Sequence, residues 1–135
     1  MIISGFAFHC HHDTLLEWVT NYDERVKYIK ASKPKNEMKL RLKLFKMIPV
    51  DRLPTELVKA WGDYYKAEGD YRKIWGIFYK DKAKKVRNKA WEVYVKTRKA
   101  CYPELQKLHR ELCPNCPWDG QTIFPNYEKY LRGEL

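Results

Sequence analysis

A chain of 135 residues, 44% of them hydrophobic, can close one core without disulfide staples. Its 15% aromatic content argues against disorder even though 33% of residues are charged. The formal net charge of +10 favours solubility and attraction to polyanions, and it carries no information about fold. No run approaches the roughly 18 apolar residues of a membrane span. The start Met1-Ile2-Ile3 lacks the basic region of a secretory signal. Four cysteines, two of them in a single CxxC, do not make a secreted disulfide framework. The expectation is a reduced, cytoplasmic protein with no membrane partner, folded as one helical domain over 1–135.

Met1–Cys10 reads as a strand in which Phe6 and Phe8 alternate with Ala7 and His9. Thr14-Leu15-Leu16-Glu17 matches a capping box, with Asp13 as a competing cap. Leu15, Val19, Tyr22, Val26 and Ile29 then recur at helical spacing up to Lys33-Pro34, which ends the helix. Between Lys35 and Ile48 the alternation of Met38, Leu40, Leu42 and Leu44 with basic residues suggests a strand. Every residue there is nonetheless a good helix former and none before Ile48 is β-branched, so helix is favoured, with Asn36 able to cap it.

Thr55–Cys101 lacks proline and repeats every seven residues: AWGDYYK, AEGDYRK, IWGIFYK. Ala60, Ala67 and Ile74 hold the first place and Tyr64, Tyr71 and Phe78 the fifth, which together form an aromatic seam of coiled-coil type. Gly62, Gly69 and Gly76 hold the third place. Glycine costs about 1 kcal/mol in a helix, so the stripe is read as a close contact that a larger side chain would overpack. Unbroken, this helix is about 70 Å long. Past Tyr79 the apolar set becomes Ala83, Val86, Ala90, Val93 and Thr97, nearly opposite the seam. The helix therefore either changes neighbours or breaks near Lys80-Asp81-Lys82. Pro103 is expected to start a short second helix, Glu104–Leu112. Asp119-Gly120 signals a turn, Thr122–Phe124 a strand able to pair with Phe6–Phe8, and Tyr127–Leu131 a last helical turn. The expected fold is mainly α. A long heptad-patterned helix packs on two amino-terminal helices or pairs in a homodimer. A two-stranded, zinc-clamped end is built from strand 1–10 and the CPNC hairpin 113–124.

Cys113-Pro114-Asn115-Cys116 places two thiolates where one tetrahedral metal can take both. The amino-terminal cluster His9-Cys10-His11-His12 offers the remaining ligands for a structural zinc. On a strand, Cys10 and His12 face one side and His9 and His11 the other. His109, four residues before Cys113 on the same helix face, is a fifth candidate beside these four. A redox dithiol is disfavoured because the CxxC follows a helix instead of opening one. The run His9-x-His11-x-Asp13 also resembles the start of a metal-dependent hydrolase or nuclease site, but few further ligands exist to complete it. Phosphate-loop, dinucleotide and serine-hydrolase motifs are absent, and no catalytic residue is assigned.

Lys27–Lys46 and Lys80–Lys99 each carry +7. Lys39, Arg41, Lys43, Lys82, Lys84, Lys85, Arg87 and Lys89 are the candidate phosphate contacts, interleaved with Trp75, Tyr79, Trp91 and Tyr94 as stacking rings. The functional expectation is a non-enzymatic basic module that binds nucleic acid or an acidic protein surface. The alternatives are a protein–protein inhibitor or adaptor acting through the aromatic seam, and the metal-dependent hydrolase. The segments HCHHD, KPKNEMKLRLKLFKMIP and CPNCPWDGQTIF resemble segments of small uncharacterised proteins of phages and mobile elements. That resemblance implies a phage or mobile-element origin, and no function or catalytic residue follows from it.

Overall fold

The computed structural model describes residues 1–125, and of Phe78 only the backbone. The turn expected at Tyr127–Leu131 lies outside the described residues. The chain divides into two compact units, Met1–Val50 with His109–Leu135, and Asp51–Leu108.

In the first unit, strand β1 (Gly5–Phe8) pairs antiparallel with β2 (Leu16–Val19), Gly5 opposite Val19 and Phe8 opposite Leu16. A short strand β3 (Lys46–Met47) joins the other edge of β1, giving the order β2-β1-β3. The capping box therefore opens no helix. Glu17, its carboxylate, bonds His11 at 3.0 Å instead. Leu15 and Leu16 are both buried, and Trp18 meets Phe6 edge-on at 5.3 Å across the strand pair. Within β2 only the end residues Leu16 and Val19 are buried, and pairing with β1 overrides the local helix signal.

Helix α1 spans Tyr22–Ser32, capped by Asn21, whose side chain accepts from the Glu24 amide at 3.1 Å. It stops at Lys33, before Pro34, as the sequence predicts. Helix α2 spans Lys35–Leu44 with Pro34 as its amino-terminal boundary residue, so Asn36 does not cap it. Its strand-like alternation has a structural cause. Met38 and Leu42, one turn apart, pack against a core of Ala7, Cys10, Val19, Ile29 and Phe45. Leu40 and Leu44, the next such pair, belong to a second core with Cys113 and Ile123. A helix buried on two flanks shows alternation that a single-faced helix would not.

In the second unit, α3 (Thr55–Lys73) and α4 (Ile77–Leu112) form an antiparallel hairpin, with the last four residues of α4 belonging to the first unit. The break falls at Gly76, whose φ of +94° is a conformation that glycine adopts without strain, and not near Lys80–Lys82. Cross-helix contacts run in antiparallel register: Tyr71 under the Arg87 guanidinium at 4.2 Å, Tyr64 with Trp91 at 5.0 Å and Trp61 with Tyr94 at 5.0 Å. Cys101 donates to Glu56 at 3.5 Å further along. The expected packing of a long helix on two amino-terminal helices is thus corrected, because the tight partner of the long helix is α3. The two-stranded end is corrected to a three-stranded sheet.

The seam residues Ala60 and Ala67 are buried, while Gly62 and Gly69 face open space: a Cβ on either meets nothing within 4 Å. The glycine stripe is therefore not a contact. The second apolar set is also not the buried face, since Val86 and Val93 are exposed and Tyr94, Cys101 and Leu105 are buried. Helix α4 runs through Pro103 unbroken. The ring removes the donor to the Lys99 carbonyl, and both residues lie exposed, where water can satisfy that oxygen. Among the described residues no helix is long and apolar enough to cross a membrane.

Candidate metal centre

His109 sits in the last turn of α4, and the Cys113 amide donates to its carbonyl at 2.8 Å, carrying the helical path one step beyond Leu112. His109 and Cys113 therefore share a face. Asn115 at φ +61° turns the chain inside CPNC and brings Cys116 back beside Cys113. His9 follows β1 directly, and its φ of +54° bends it out of the strand, which voids the two-face argument for this residue.

Four groups converge: His9, His109, Cys113 and Cys116, with all ligand atoms within 4.8 Å of one another. His9 Nε2 lies 2.9 Å from His109 Nε2 and 3.4 Å from Cys116 Sγ. A tetrahedral zinc with ordinary Zn–N and Zn–S bonds needs ligand separations of about 3.3–3.8 Å, so the cluster is close to that size. His9, His109 and Cys113 are buried and Cys116 is half-buried. Phe8 packs edge-on to His109 at 5.1 Å and Trp118 lies 5.3 Å from the His9 ring, forming an apolar wall.

The second sphere of the cluster is also built. His9 Nδ1 donates to the Thr14 carbonyl at 3.3 Å, because a carbonyl can only accept. That bond leaves the lone pair on Nε2, which points into the cluster, the arrangement found behind metal-bound imidazoles. Cys113 is held well below the ordinary thiol range, first by the Cys116 thiol donating to it and then by His109, against the effect of burial. Cys116 is pushed up by the same shared proton and by burial. The cluster thus stabilises one thiolate by itself. A metal taking all four ligands displaces the second proton, so binding weakens as pH falls.

The other candidates go elsewhere. Cys10 and His11 gather with Glu17 in a separate group. The Arg25 guanidinium donates to the Cys10 carbonyl at 2.7 Å and fixes that loop. His12 bonds Thr122 Oγ1 at 3.0 Å, and the Ile123 amide donates to the His12 carbonyl at 2.8 Å. That pair of bonds, not a strand, ties Thr122–Phe124 to the amino-terminal segment. Asp119 forms the expected turn by accepting from the Gln121 and Thr122 amides at 2.8 and 2.9 Å.

Among the basic residues, Lys39, Lys43, Lys82, Lys84, Lys85 and Lys89 are exposed. Arg41 is buried, paired with Glu37 at 2.9 Å and stacked over Phe124. Arg87 is engaged within the hairpin by Tyr71 and by Glu68 at 3.5 Å. Their guanidiniums serve the fold. Compared with protein-family models, curated proteins and solved structures, the chain matches none.

Proposed function

We propose that the protein is a non-enzymatic nucleic-acid-binding module whose first unit is closed by a structural zinc. Zinc fits the donor set because it takes thiolate and imidazole together in tetrahedral sites. Four protein ligands, mostly buried, fill a tetrahedral shell and leave no position for substrate. That favours a structural role over the hydrolase reading. His11, which such an enzyme would need, is paired with Glu17 outside the cluster.

The observation that carries the nucleic-acid reading is the exposed side of α4. Between Lys82 and Lys99 eight basic residues face one acidic residue, Glu92. Lys82, Lys84, Lys85, Lys89, Lys96 and Lys99 are exposed, with Trp91 at 45% exposure among them. Lysines hold phosphates, and an exposed ring among them accepts a base. The test is a salt titration of oligonucleotide binding. Affinity should fall steeply with salt and show little sequence preference. Changing Lys82, Lys84 and Lys85 to Glu should remove most of it. Arg87 is left in place because replacing it would also break the Glu68 pair. Absence of binding at low salt overturns the reading.

A further inference from the structure

The tip of the α3–α4 hairpin exposes large side chains with apolar bodies to solvent. Trp75 is 92% exposed, Ile77 87% and Tyr79 68%. Large rings and an aliphatic side chain exposed within five residues of one another suit a contact site. The tip is also built: Gly76 at φ +94° sets the turn, and a Cβ there would meet nothing within 4 Å. The backbone conformation, not crowding, is what demands glycine. Arg72 and Lys73 are exposed on one side of the tip and Lys82, Lys84 and Lys85 on the other. The first turn of α4 carries no acidic residue.

We infer that this tip is the stacking element of the module: Trp75 stacks on an unpaired base of single-stranded nucleic acid while the flanking cations hold the adjoining phosphates. The inference rests on the nucleic-acid reading and deepens it. Two observations select this occupant. The cations do not stop at the tip; they continue from Lys82 to Lys99, about 26 Å of helix at 1.5 Å per residue. A linear polyanion can touch the tip and follow that line, whereas a lipid surface met by the tip has no use for its far end. The apolar group is led by an indole, and a ring carried on a tip reaches a base face when the base is unpaired.

The experiment measures binding of a fluorescent oligothymidylate and of a matched duplex to the full chain across salt concentrations. Wild type should prefer the single strand. Trp75→Ala should bind it about 5- to 150-fold more weakly with the same salt slope, since a base–aromatic stack and not a charge is lost. Trp75→Phe should recover most of the affinity. Trp75 is nearly fully exposed, so its replacement leaves the fold intact. If Trp75→Ala binds as wild type does while Lys82, Lys84 and Lys85 to Glu loses binding, the tip inference falls and the module reading stands. If wild type binds neither nucleic acid, both fall. Capture by phosphatidylserine vesicles that depends on Trp75, without oligonucleotide binding, would reassign the tip to lipid and overturn the inference.

Discussion

His109 and His12 are both imidazoles near the carboxyl-terminal segment, yet they are expected to respond differently to replacement. His109 Nε2 points at His9 and shares the cluster with both thiols. His12 makes one hydrogen bond to a threonine hydroxyl and is exposed. His109→Ala should abolish stoichiometric zinc, and His12→Ala should keep about one zinc per chain, which elemental analysis reads directly. Equal zinc in both variants would remove His109 from the site. Cys101 gives a second prediction. Burial first, and then its bond to the Glu56 carboxylate, push its thiol from 9.0 to about 11. An acid whose folded value is raised keeps its proton while the unfolded chain loses it. Stability is therefore untouched below about pH 9 and declines between about 9 and 11. Denaturant midpoints should fall across that window in the wild type, and Cys101→Ala should fall less.

The α3–α4 hairpin separates what periodicity reveals from what it does not. The first and fifth places of the repeat carry contacts: Ala60 and Ala67 are buried and Tyr64 and Tyr71 meet α4. The third place looked equally constrained, but a repeat records equivalent positions without saying which of them face a partner. Gly69 is therefore expected to be a plain helix cost. Gly69→Ala should raise stability by about 1 kcal/mol, seen as a higher melting temperature, whereas Gly76→Ala should lower it by about 1–3 kcal/mol through its positive φ. A destabilised Gly69→Ala would restore the contact reading. The carboxyl end of α1 and the start of α2 were legible because Pro34 is a local signal, whereas the run expected to stay helical over Lys35–Ile48, up to Pro49, ends at Leu44, where Lys46–Met47 pairs with β1. Strand β2 was not, because its cause is the pairing of Trp18 with Phe6 and of Glu17 with His11, which no local window contains. The hairpin break was misplaced because Gly76 was counted as a repeat member and not as the turn.

The His/Cys cluster joins chain segments 100 residues apart, His9 to His109, within the first unit. Binding that exists only in the folded chain adds directly to folding free energy, so the clamp should dominate the stability of that unit. Half of the cluster was visible in the sequence as CPNC, and His109 was visible as a residue one turn before it. The choice among the amino-terminal candidates was not, because it depends on the bend at His9 and on the Thr14 carbonyl that orients its ring. The central claim is that these two imidazoles and two thiolates hold one zinc. X-ray absorption at the zinc edge of protein purified under reducing conditions tests it directly. Two sulfur neighbours at about 2.3 Å and two nitrogen neighbours at about 2.0–2.1 Å are expected. A shell of oxygen ligands, or one holding a single sulfur, would contradict it.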